Sequence, residues 1–133
     1  MKTFLILSFT LLTSIGFAQK TVVWKGGTPG KENCWHEARN WSTNSVPDEF
    51  SNVIIPDVSS SSFSTPIIYD GTVELNALQM ETNTHLSILR KAKLIVYSYS
   101  YGLDIEKLQL EGTLILLDEL TEEETILANL ENK

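Results

Sequence analysis

Residues 67–96 read IIYDGTVELNALQMETNTHLSILRKAKLIV. Apolar side chains recur here at every second position: Val73 and Leu75, Leu78 and Met80, Leu86 and Ile88, Leu94 and Val96. Breaks fall at Asn76, at Thr82-Asn83-Thr84 and at Arg90-Lys91. A period of two is that of a strand with one buried face, and helical spacing is absent. The stretch also repeats itself. Leu75-Asn76-Ala77-Leu78-Gln79-Met80-Glu81 matches Ile105-Glu106-Lys107-Leu108-Gln109-Leu110-Glu111, and Leu86-Ser87-Ile88 matches Leu114-Ile115-Leu116. Short strands repeated without helices predict coils of a parallel β-helix, in which equivalent strands stack about 4.8 Å apart and hide a shared apolar face. In that register Leu78 lies under Leu108. A meander of hairpins is the rival, but two-residue Asn-Gly or Asp-Gly turns would be needed between strands, and Asp70-Gly71 stands alone.

Upstream, residues 24–56 read WKGGTPGKENCWHEARNWSTNSVPDEFSNVIIP. All three tryptophans of the protein, Trp24, Trp35 and Trp41, fall in this stretch, between the paired Gly26-Gly27 and the Val46-Pro47 turn. Thr21 to Trp24 predicts a first strand, Gly26 to Gly30 a turn, and Glu37 to Asn40 a short helical turn. The rest of the segment up to Ser51 has no clean period and is expected to be a loop held by its aromatic rings. Val53-Ile54-Ile55 closes it as a strand, and Ser59 to Ser64 reads as an exposed connector.

The order W-x-G, W, N-W, V-P, V-x-I-P resembles an N-terminal module of large secreted and cell-surface proteins of Gram-negative bacteria, of the autotransporter and adhesin kind. The matching residues are Trp24, Gly26, Trp35, Asn40, Trp41, Val46, Pro47, Val53, Ile55 and Pro56. The resemblance implies a right-handed parallel β-helix started by this module, with Trp24, Trp35, Asn40, Trp41 and Pro47 as its structural cap. It implies no particular activity, because a fold of this kind is a scaffold for many functions.

Both ends of the chain have their own character. Met1 to Ala18 carries Lys2, an apolar run from Phe4 to Leu12, and Gly16-Phe17-Ala18 before Gln19. That is the layout of a cleavable secretory signal, and Thr10, Thr13 and Ser14 interrupt the run too early for a membrane span. At the other end Thr121-Glu122-Glu123-Glu124 forms a capping box, followed by Ile126, Leu127 and Leu130 on one face of a short helix. The expected organisation is therefore a signal peptide over 1–18, a β-helix-like domain over 19–120 with its cap at 19–56 and coils at 66–117, and a capping helix or tail over 121–133. The two ends of such a stack are unpaired edges, which the tryptophan-rich stretch and the terminal helix are placed to cover.

Charge narrows the partners. Loss of the leader leaves 9 basic and 17 acidic side chains, a formal charge of −8, which speaks against nucleic acid and anionic lipid. The lone Cys34 cannot form an internal disulfide. Beside it, His36 lacks the further ligands a zinc or copper site needs, since the second histidine, His85, is in another coil. No cofactor is expected.

Three surface features carry possible chemistry. In the thirty-residue register Glu74 stacks on Asp104 and Glu81 on Glu111, four carboxylates whose repulsion neighbouring lysines, protonation or a hard divalent cation such as calcium would offset; a solvated acidic face is the competing expectation. Asp57, Asp70 and Glu74 combine on paper into a glycan-hydrolysing pair, but nothing selects them over the other acids. Tyr97-Ser98-Tyr99-Ser100-Tyr101 alternates so that Tyr97, Tyr99 and Tyr101 point outward, as a strip suited to sugar rings or to a protein partner. Packing of those rings against the coil is the competing expectation. The reading that follows is an exported structural or interaction module without catalytic activity, periplasmic, on the outer surface or extracellular. Surface polysaccharide or another protein would be its partner. A carbohydrate-binding or adhesin module using the tyrosines, and a polysaccharide-active enzyme, are the alternatives.

Overall fold

The computed structural model describes residues 18–58, 64–98 and 103–117. Most of the leader, most of the serine-rich connector, Tyr99, Tyr101 and the tail with its expected helix lie outside the described residues. The alternation seen in the sequence becomes strand almost everywhere it occurs. In chain order the strands are β1 (Lys20–Val23), β2 (Ser51–Ile55), β3 (Ile67–Leu75), β4 (Ala77–Met80), β5 (Leu86–Val96), β6 (Leu108–Leu110) and β7 (Thr113–Leu116). Among the described residues the helices are two single 3₁₀ turns, Ala38–Asn40 and Ile105–Lys107. The architecture is all-β.

Every strand pairing is parallel, in two sheets. One has the order β1-β2-β4; in the other β3 pairs β5, and β5 pairs both β6 and β7. Parallel neighbours require a crossover rather than a hairpin, and here the chain makes it by passing from one sheet to the other: β2 to β3, then β4 to β5. The inward positions line up in apolar columns. Val22 pairs with Val53 and Val53 with Leu78; Ile68 pairs with Ile88 and Ile88 with Leu110; Val73, Leu94 and Leu114 follow, as do Leu75, Val96 and Leu116. Val22, Val53, Leu75, Leu78, Leu86, Ile88 and Leu94 are almost wholly buried in one cluster with the three tryptophans. Each such side chain contributes about 1.5–3 kcal/mol through burial.

Stacking is found, but the thirty-residue register is not. Leu78 sits on Val53 in the first sheet, whereas Leu108 sits on Leu86 in the second. Leu86-Ser87-Ile88 takes Leu108-Gln109-Leu110 as its partner, and Leu114 to Leu116 pair instead with Leu94 to Val96. The matched segments share their alternation, a property of any two half-buried strands, and not their place in the stack.

What sets the true register is a line of bends. Asp70-Gly71 is not a hairpin turn but a corner inside β3, with Gly71 at φ 75°. Arg90-Lys91 is the corner of β5, where one extra residue bulges between the pairs Ile68 with Ile88 and Asp70 with Lys91. Glu111-Gly112 separates β6 from β7, and both of its N–H groups donate to the carbonyl of Ile88 at 2.9 Å. These three corners lie over one another.

The tryptophan-rich stretch bonds to the first edge of both sheets at one point each. The N–H of Ser42 donates to the Val23 carbonyl at 2.9 Å, and the Val23 N–H donates to Ser42 Oγ at 3.0 Å, so the outer side of β1 is engaged at Val23. Along β3, the Trp35 N–H donates to the Ile67 carbonyl and the Ile67 N–H to the Asn33 carbonyl. An edge that would otherwise template aggregation is thereby partly covered within the chain, at Val23 and Ile67.

Candidate functional site

The tryptophan-rich stretch is built inward and serves packing. Trp24 and Trp35 both meet Trp41 edge to face, with ring centroids 4.9 and 4.6 Å away, in the geometry that aromatic quadrupoles favour. Trp41 Nε1 donates to the Trp35 carbonyl and Trp24 Nε1 to the Ser64 carbonyl. Asn40, fully buried, ties the loop together through its side-chain amide and its own carbonyl, and Pro47 is buried too. Cys34 is half-buried and His36 exposed. Among the described residues no group of three or more histidine, cysteine or acidic side chains is placed to hold a metal ion.

The four acids expected to form a ladder are dispersed. Glu74 has Ile95 as its strand partner. Asp104 caps the second 3₁₀ turn by accepting from the Glu106 N–H, and Lys107 Nζ is 3.8 Å from its carboxylate. The Glu81 carboxylate accepts from the Asp57 N–H, and Lys107 reaches the Glu81 backbone carbonyl at 3.2 Å. Glu111 lies at the corner between β6 and β7. With the register changed, the electrostatic reason for a cation between these carboxylates is gone. Asp57 and Glu74 are likewise engaged apart from one another, Asp57 by Asn83 and Glu74 by Tyr97.

Of the tyrosine strip, Tyr97 is described. It is exposed, as expected, and its hydroxyl donates to Glu74 Oε1 at 2.6 Å. That bond to a carboxylate, aided by partial desolvation and the charges of Glu74 and Glu49, raises the phenol above its ordinary pKa. Tyr69 is exposed too, at the corner of β3 beside a depression of about 250 Å³ lined by Gly30, Asn33 and Cys34.

Ion pairs cluster on the N-terminal loop. Arg39 binds Glu37 at 2.9 Å and holds that carboxyl below its usual range, with help from the Arg39 N–H. For Asp48, partial burial pushes upward, but Lys20, Ser51 and the Phe50 N–H together outweigh it and the net shift is down. The contacts of Asp48 with Lys20, Ser51 and Phe50 fix the entry into β2.

A depression of about 460 Å³ lies on the outer face of β1, β2 and β4. Thr21, Asn52 and Ala77 form one outward row across the three strands, and Val23, Ile54 and Gln79 the next. Asn76 and Ser98 stand at one end. Asn76 Nδ2 donates to Asn52 Oδ1 at 2.6 Å, and Ser98 Oγ donates to Asn76 Oδ1 at 3.2 Å. This surface is not written in the sequence. Its rows exist only once the register places Asn52 beside Ala77, and no spacing in the sequence gives that pairing.

Compared with known families, with curated proteins and with solved structures, the chain matches none. Among the described residues no helix is long and apolar enough to cross a membrane.

Proposed function

We propose that the chain is a short right-handed parallel β-helix, exported by way of its leader, that acts as a non-catalytic structural or interaction module on or outside the cell surface. The observation that carries this reading is the division of labour across the strands. Inward columns stay apolar from one strand to the next, while the outward rows are exposed or half-buried. The crossovers favour the right-handed form, since parallel connections are nearly always of that hand. A module of this kind works by what its outer faces touch.

The test is a glycan array and a panel of polysaccharide-degradation assays on the exported protein. Binding or co-purification of a surface component without any shortening of the polymer supports the reading; release of reducing ends overturns it. A second reading, carbohydrate binding through the tyrosines, is favoured by the exposed Tyr97 ring with its hydroxyl held by Glu74. Replacing Tyr97 by alanine decides it: loss of glycan binding at unchanged stability supports a site, and loss of stability supports packing.

A further inference from the structure

We infer that the outer face of β1, β2 and β4 binds a neutral polysaccharide chain. This deepens the interaction-module reading by naming a face and a ligand class, and it does not draw on Tyr97, which is bonded to Glu74 of β3. Three parallel strands make a floor about 10 Å across, and the short side chains of Thr21 and Ala77 flank Asn52 within it. The resulting hollow of about 460 Å³ is comparable to a small-ligand site.

Its chemistry selects the ligand. In a chain with 17 acidic residues, none of the described side chains lining this hollow carries a charge. Asn52, Asn76 and Gln79 each offer an amide with donors and an acceptor, the combination that matches neighbouring hydroxyls of a sugar. The Ser98 to Asn76 to Asn52 relay fixes which end of each amide faces which way, leaving Nδ2 of Asn52 as a donor already oriented. Orientation in advance lowers the entropy lost on binding. Ile54, half-buried between the amides, gives an apolar patch for the C–H face of a ring. Among the described residues lining the hollow there is no aromatic or arginine anchor of the kind that dominates protein interfaces, and an anionic polymer would meet the repulsion of the net negative charge.

The test is a titration of the ¹⁵N-labelled full chain with neutral hexaoses, namely xylohexaose, cellohexaose, mannohexaose and maltohexaose, with an alginate hexamer as the anionic probe. The expected result is saturable movement of the Asn52, Asn76 and Gln79 side-chain signals with at least one neutral hexaose. Two variants on outward positions, Gln79→Glu and Ala77→Tyr, are expected to keep the dispersed amide spectrum and to weaken that binding by about tenfold or more. The inference is overturned if no neutral hexaose moves these signals at concentrations up to about 10 mM. It is equally overturned if the alginate hexamer moves them more than any neutral probe, or if both variants fold and bind as the parent does. Movement confined to Tyr97 also overturns it while sustaining the tyrosine reading, so the two failures are distinct.

Discussion

The side-chain carbonyl of Asn40 accepts a hydrogen bond from the backbone N–H of Thr28 at 3.0 Å. The same amide donates to the carbonyls of Lys31 at 2.7 Å and Cys34 at 3.0 Å, and the Asn40 backbone carbonyl receives the N–H groups of Lys25 and Gly26. One fully buried residue thus holds both sides of the tryptophan-bearing loop. Asn40→Asp keeps the shape but replaces two donors with an acceptor aimed at carbonyls. Removing donors from buried partners costs about 1–3 kcal/mol each, so a loss of about 2–4 kcal/mol is expected by urea denaturation, with Asn40→Ala at the lower end.

The corner at Gly112 is set by space. A Cβ built there would lie 2.3 Å from the Leu89 carbonyl oxygen and 2.4 Å from that of Ala92. Backbone atoms of β5 cannot retreat without breaking their pairs, so Gly112→Ala is expected to cost about 2 kcal/mol or more. Gly30 is the contrasting case: its φ is 79° but nothing lies within 4 Å of a Cβ. Gly30→Ala carries the left-handed penalty alone, about 1–2 kcal/mol. Thermal melts of the two variants, read side by side, check the order.

Tyr97 gives a pH dependence on the alkaline side. Its folded-state pKa is raised by the bond to Glu74, so the stabilisation is present below the ordinary phenol value and is lost as pH rises through the folded one. Ultraviolet titration of the folded protein should show one tyrosine ionising later than in the denatured chain, and Glu74→Gln should bring it back toward normal.

On the acid side the sign reverses. Asp48 and Glu37 have folded pKa values below those of free carboxyls. Their contribution is present above the ordinary carboxylate range and is lost as pH falls through the lowered values, below about pH 4. Lys20→Met removes the partner of a pair whose side chains are about two-fifths exposed, so its effect at neutral pH is well under 1 kcal/mol. The measurement is the melting temperature from pH 7 to 3, which should fall less steeply in the variant.

Much of the fold was legible because a strand with one buried face writes itself as alternation. Val73, Leu75, Leu78, Met80, Leu86, Ile88, Leu94 and Val96, all assigned inward, are buried, and the expected turn at Glu37 to Asn40 is the first 3₁₀ helix. The register was not legible. Stacked residues are separated by 31 positions from Val22 to Val53 but by 20 from Leu94 to Leu114, because the segments inserted between paired strands differ in length. A fixed repeat is therefore a poor guide, and the resemblance between Leu75–Glu81 and Ile105–Glu111 is one of period. The hollow beside Asn52 stayed hidden for the same reason, since a surface shared by three strands depends on register alone.

Disulfide trapping measures that register directly. In a Cys34→Ser background, Ser87→Cys with Gln109→Cys tests the observed pairing, in which those two residues are strand partners with side chains 3.0 Å apart. Gln79→Cys with Gln109→Cys tests the thirty-residue alternative. Adjacent strands bring Cα atoms to about 4.8 Å, within the span a disulfide bridges. Rapid and complete oxidation of the 87/109 pair is expected in the folded protein, and none of the 79/109 pair. Oxidation of 79/109 with 87/109 remaining reduced would contradict the stacking on which the faces described above depend.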